Sequence, residues 1–215
     1  MEACRESRRK KNIEFFNSIT HLLGAILGVI FMVLMVRKCL FTSSSYMASY
    51  VVYGIFFILM FLSSALYHGA INEKIKSVLR IFDHSSIFLF IAGSYTPVLV
   101  STFTGKLRIF LLCFIWTIAI GGMIFKFITH GKYDKYKRVS LFLYILMGWL
   151  AIFMLTPLIE NYSWKFMIFL VLGGLSYTIG TIFYKMENPA FHIVWHFFVL
   201  FAAIIHFVGY YTYLI

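Results

Sequence analysis

Seven apolar runs of about twenty residues each follow one another with short polar breaks between them: 16–36, 46–67, 82–103, 107–128, 139–158, 164–184 and 189–214. A hydrocarbon core of about 30 Å takes helices of that length. Lipid offers the backbone no hydrogen-bond partner, so each run must satisfy its own peptide groups as a helix. A chain of 215 residues that is 61% hydrophobic, with a mean hydropathy of +0.88, has far more apolar surface than a soluble core of that size can bury. The pattern predicts an all-α membrane protein, a seven-transmembrane helix bundle. Residues 1–13 read as a basic, solvated and mobile tail, and 14–215 as the seven-helix domain. No internal repeat is visible, and the loops are too short to hold a soluble domain.

The net charge of +11 is gathered between the runs, which is how topology is set rather than how nucleic acid is bound. Fourteen Lys and Arg fall on one side: five in the tail, Lys74, Lys76 and Arg80, Lys126, Lys132, Lys135, Lys137 and Arg138, and Lys185. Five fall on the other: Arg37, Lys38, Lys106, Arg108 and Lys165. The positive-inside rule then predicts a cytoplasmic N-terminus and an outer C-terminus in a cell membrane. The first run is longer than a signal-peptide core and no small-residue cleavage site ends it, so an uncleaved first helix is expected. Cys4, Cys39 and Cys113 are odd in number and far apart, which suits free thiols. Tyr46, Tyr50, Tyr210, Tyr211, Tyr213 and Trp164, near run ends, suit an interfacial belt. Gly24 and Gly28 suit a close-packing face.

The polar residues inside the runs are not scattered. Glu14, Asn17, Thr20 and His21 open the first run; Ser63, Ser64 and His68 close the second; Asp83 opens the third; His192 and His196 open the seventh. All therefore lie at the same, cytoplasmic, depth. Residues four apart share a helix face, so His192 pairs with His196 and Ser64 with His68. Asn188 before Pro189 reads as a helix start and places both histidines within two turns of the membrane face. Three neutral imidazoles are a common zinc set that leaves a fourth position for water, whose pKa the metal lowers towards ~7. Asp83 then suits a general base or a support for a ligand, and Ser64 suits orienting the water or stabilising a carbonyl oxygen.

Plainer readings stand beside these. A His-x3-His pair can be interhelical hydrogen-bonding glue worth only ~1 kcal/mol, although the convergence of His68 and Asp83 on one depth weighs against it. For His21, bonding to neighbouring helices or near Glu14 is the better expectation. Glu14 suits a helix cap or a pair with a loop lysine as well as a site role. His84 points about 100° away from Asp83 and is expected at the interface, His130 in solvent, and His206 in packing.

The ordered set Glu14-x2-Asn17-x2-Thr20-His21, Ser64-x3-His68, Asp83 and His192-x3-His196 resembles the hemolysin III family, the bacterial branch of the progestin and adiponectin receptor group. The resemblance covers nearly the whole chain, and its wider superfamily includes alkaline ceramidases. It implies a seven-helix bundle with zinc on His68, His192 and His196, Asp83 beside the metal-bound water, and Ser64 in the shared motif. The expectation is a zinc-dependent hydrolase acting on a membrane lipid amide or ester. A membrane-lytic protein and a receptor-like or homeostatic protein with structural zinc are the alternatives. Substrate identity and oligomeric state are not legible in the sequence.

Overall fold

The computed structural model describes residues 1–40, 43–186 and 188–214, without the side chains of residues 2–4 and 134, so the thiol of Cys4 lies outside the described residues. The described residues contain no strand. The helices are α1 (Glu2–Lys38), α2 (Ser44–Gly69), α3 (Glu73–Thr102), α4 (Gly105–Ile128), α5 (Tyr133–Gly148), α6 (Leu155–Asn161), α7 (Trp164–Lys185) and α8 (Ala190–Tyr213). Seven stretches are long and apolar enough to cross a membrane, and α5 with α6 makes one of them, Lys135–Asn161. Neighbours in sequence pack along α1–α2–α3–α4 and α7–α8, and α8 returns against α1 to close the bundle. Leu22, Leu23, Ile26, Ile30 and Val33 line the outer face of α1, and similar rows on α4 and α7 face outward, the inside-out pattern that suits a lipid solvent.

The interior is aromatic. Tyr53, Phe57, Phe61 and Phe88 are buried, and Phe31 of α1 stacks on Phe207 of α8 with centroids 3.6 Å apart. Gly24 and Gly28 form the expected close-packing face. A Cβ on Gly28 would stand 2.6 Å from the Phe57 ring, and one on Gly24 would collide with Phe61. Backbones approach because no side chain intervenes.

Three expectations change. The basic residues at 5–11 are not a loose tail but exposed turns continuous with α1. The third helix begins nine residues earlier than its apolar run, at Glu73, where Asn72 Oδ1 accepts from the N–H of Lys74 (2.9 Å) and Ile75 (3.3 Å). That side-chain cap starts an amphipathic extension whose charges hide it from a hydropathy reading. Of the supposed belt tyrosines, Tyr50 and Tyr210 turn inward, Tyr50 donating to the Leu214 carbonyl at 3.0 Å. Cys39 is buried and Cys113 faces outward, both as thiols.

The fifth span is not one helix. A 3₁₀ segment, Trp149–Met154, interrupts it, and Tyr95 of α3 takes up the backbone groups this frees. Its hydroxyl donates to the Gly148 carbonyl (2.8 Å) and accepts from the Ala151 N–H (2.6 Å). Irregular backbone at membrane depth survives only with such partners. Tyr95→Phe should therefore destabilise the protein by about 1–3 kcal/mol. A thermal melt in detergent reads this as a lowered midpoint, and an unchanged midpoint would refute it.

Candidate metal centre

Three helices supply the centre. His68 lies in the last turn of α2, and His192 and His196 lie one turn apart at the start of α8, where Asn188 Oδ1 accepts from the Ala190 N–H at 3.1 Å. One ring nitrogen from each imidazole falls within 4.8 Å of the others. The rings of His68 lie 5.2 Å from His192 and 5.0 Å from His196. α1 adds the supports.

Two of the three imidazoles are held through Nδ1. His68 Nδ1–H donates to Glu14 Oε2 at 3.0 Å, and that same oxygen accepts from Lys76 Nζ at 2.9 Å. His196 Nδ1–H donates to the Asn17 carbonyl at 3.3 Å, with Thr20 Oγ1 at 3.4 Å. A bond at Nδ1 fixes the tautomer and turns the Nε2 lone pair inward, the arrangement found behind metal-bound imidazoles. His68 Nε2 is buried with no protein partner among the described residues. A buried acceptor of this kind suits a partner such as a water or a metal ion, and three imidazoles fit zinc better than calcium or magnesium, which take oxygen.

Asp83 and Ser64 meet at the wall of the adjoining cavity, where the Ser64 hydroxyl is in reach of the Asp83 carboxylate. This cavity of about 150 Å³ opens from His192 and His196 and runs between α3, α5, α7 and α8 to His206, over largely apolar walls that include Ile87, Phe90 and Val199. Ser63, by contrast, is spent on the Met60 carbonyl and Ser86. The three imidazoles picked out by spacing thus lie together, Asp83 and Ser64 share a cavity wall with His192 and His196, and His130 and His206 are outside the imidazole set. His130 is exposed against Ser77, and His206 holds the Leu170 carbonyl at 3.2 Å.

His84 is tied on both nitrogens. Its Nδ1–H donates to the Arg80 carbonyl (2.7 Å), and its Nε2 accepts from Tyr133 (2.6 Å), which also meets Tyr184. Burial raises the Tyr133 phenol above its ordinary pKa, so it stays protonated and donates at neutral pH.

His21 is outside the set of three, as expected of it, but meets its neighbours by packing and not by hydrogen bonds. It makes no hydrogen bond to Glu14 or a neighbouring helix. Its ring stacks on His196 at 3.6 Å between centroids, packs edge-on to Phe61, and keeps both nitrogens unpartnered among the described residues. Glu14 pairs with a lysine, one of the roles expected of it, and also holds His68. The support from Asn17 and Thr20 escaped the sequence reading, although positions 14 and 17 share a helical face.

Comparison with known proteins gives the family of the chain. The family described as "Haemolysin-III related" matches residues 9–207, which include every residue of the centre. The chain is 40% identical to "Hemolysin-3" of Bacillus cereus over 189 residues, 87% of this chain and 85% of that protein. It is 38% identical to the "Hemolysin-3 homolog" of Bacillus subtilis (strain 168), over 87% of each. It is also 34% identical to the human "Monocyte to macrophage differentiation factor" over 76% of this chain and 69% of that protein. With the motifs, the seven spans and these matches together, the chain belongs to the haemolysin-III related family and is a multi-pass protein of the cell membrane.

Proposed function

We propose that this protein is a zinc-dependent hydrolase of a lipid amide or ester, with its centre near the cytoplasmic face. The observation that carries the reading is the set of three imidazoles, two of which, His192 and His196, line a largely apolar cavity together with a carboxylate, Asp83, and a hydroxyl, Ser64. His68, His192 and His196 would hold the ion. Bound there, zinc supplies a Lewis acid that activates water and polarises a carbonyl. Glu14 and Asn17 keep two of the imidazoles aimed. Asp83 takes the proton from the attacking water and returns it to the departing amine or alcohol. Ser64 orients that carboxylate or donates to the charge growing on the acyl oxygen. The apolar walls accept a hydrocarbon chain and keep bulk water from the reacting atoms. The orientation rests on the excess of Lys and Arg at the end that carries the imidazoles.

The test is release of free fatty acid from a set of lipid amides and esters by purified protein, with and without a chelator. Turnover that the chelator stops and added zinc restores supports the reading. Zinc-loaded protein that turns over none of them overturns it.

The support residues give a separate prediction. Glu14→Gln removes the charge that binds both His68 and Lys76, and zinc affinity should fall ~10–100-fold in a competition titration with a chelator. An unchanged affinity would mean that the carboxylate only pairs with Lys76.

The name of the Bacillus relatives, hemolysin, favours a second reading, membrane lysis. Dye leakage from liposomes, undiminished when zinc is removed, would support lysis in place of hydrolysis.

A further inference from the structure

A groove of about 440 Å³ lies on the outside of the bundle, between the first turns of α1 and the start of α8, at the end that carries the imidazoles. Arg5, Arg8 and Arg9 rim it, and its apolar lining includes Phe16, Ala190 and Ile193. It shares no residue with the imidazole set or with the cavity beside that set.

Topology alone does not account for this arrangement. The positive-inside rule asks only which side of the membrane Lys and Arg lie on, not which helix face they take or which of the two they are. Here both are sorted. At 100° per residue, positions 5, 8, 9 and 16 of α1 share one face, and 6, 10 and 11 lie off it. All three arginines stand on the face that lines the groove, whereas Lys10 and Lys11 do not line it. Glu6 does not line it either, and accepts from Lys10 at 3.1 Å. Among the described residues no carboxylate lines the groove or forms an ion pair with Arg5, Arg8 or Arg9. Arg9 Nη2 donates to Asn188 Oδ1 at 3.4 Å, and the same oxygen accepts from the Ala190 N–H, which ties the two walls together. A guanidinium forks onto two oxygens of a phosphate, which an ammonium cannot do.

We propose that this groove binds the headgroup of an anionic membrane phospholipid, with the lipid's chains lying along α1 and α8. The apolar lining decides for a lipid over a soluble phosphate. Phe16 leads on its own face of α1 to Ile19 and Leu23, and Ile193 leads on its face of α8 to Phe197 and Phe201, each row running one and two turns further along the span. Phe16, Ile19, Leu23, Phe197 and Phe201 are all exposed. A free phosphate makes no use of such rows, whereas hydrocarbon chains cover them. Clustered basic residues beside spanning helices attract anionic headgroups, and the start of α8 adds the positive end of a helix dipole. The site does not depend on the metal reading.

Thermal unfolding of the full-length protein, delipidated in detergent, tests the proposal by titration with phosphatidylglycerol, phosphatidylcholine or inorganic phosphate at equal ionic strength. A ligand that binds only the folded state raises the midpoint saturably. Phosphatidylglycerol should raise it, and the other two should not. The double variant Arg5→Gln/Arg8→Gln should weaken the apparent affinity for phosphatidylglycerol at least ~10-fold, as loss of a hydrogen bond to a charged group implies. The double variant Lys10→Gln/Lys11→Gln removes equal charge from off that face of the same helix and should change the affinity less than ~2-fold. All four side chains are exposed, so both variants should fold as the wild type does. His192→Ala should keep the response, which separates this groove from lipid bound at the metal centre. The proposal fails if phosphatidylglycerol leaves the midpoint of the wild type unmoved, or if phosphatidylcholine or inorganic phosphate raises it as far. It fails as well if the two double variants lose affinity equally, which would mean diffuse attraction to a basic helix, or if His192→Ala abolishes the response.

Discussion

Changing His192 to alanine should strip the protein of zinc. His192 is one corner of a triangle of imidazoles, its ring 4.6 Å from that of His196 and 5.2 Å from that of His68. Removing it leaves two donors on different helices, which is fewer than either structural or catalytic zinc sites use. The affinity loss should exceed the ~100-fold upper figure for deleting a mere supporting partner. Metal analysis of purified protein after dialysis against a weak chelator reads it directly: wild type keeps its zinc and the variant does not. His206→Ala provides the control. That histidine lies in the same helix, bonds the Leu170 carbonyl and packs on Tyr177 and Tyr210, outside the set of three, so its loss should leave the zinc content unchanged. Retention of zinc by the His192 variant would break the link between the imidazole cluster and the metal.

The second large effect separates binding from chemistry. Asp83→Asn keeps the size and polarity of the side chain but cannot accept a proton at neutral pH. Asp83 is outside the group of three whose nitrogens lie within bridging distance. Zinc content should therefore be unchanged while lipid turnover falls by ~10²–10⁴-fold, the usual share of a positioned general base. The melt should stay close to that of wild type, because an asparagine amide can still meet the Ser64 hydroxyl. If zinc content and turnover fell together, Asp83 would be holding the metal centre in place instead of moving a proton. If neither fell, it would have no part in either.

Much of this architecture is written in the order of residues because lipid allows so few solutions. A run of twenty apolar residues has to be a helix, so the number of spans and the approximate ends follow directly. The convergence of His68, His192 and His196 was legible for a related reason. Polar side chains are costly in hydrocarbon, so those present at one depth on several helices face one another. What was hidden depends on contacts between distant helices. Nothing local reveals that Tyr95 of α3 rescues the broken backbone at Gly148–Ala151, or that Asn17 offers its carbonyl, rather than its side chain, to His196. Position 21 was misjudged because its stacking partner lies 175 positions away. The extension of α3 was missed because hydropathy treats Lys74, Lys76 and Arg80 as loop, whereas the Asn72 cap and the tertiary contact of Lys76 with Glu14 hold them in a helix.

The central claim is that one zinc is shared by imidazoles from two membrane helices. X-ray absorption at the zinc edge on the purified, metal-replete protein tests it without any assay of function. Three nitrogen neighbours with imidazole scattering at about 2.0–2.1 Å and one light oxygen neighbour are the expected shell. A shell containing sulfur, a purely oxygen shell, or a spectrum that His192→Ala leaves unaltered would contradict it.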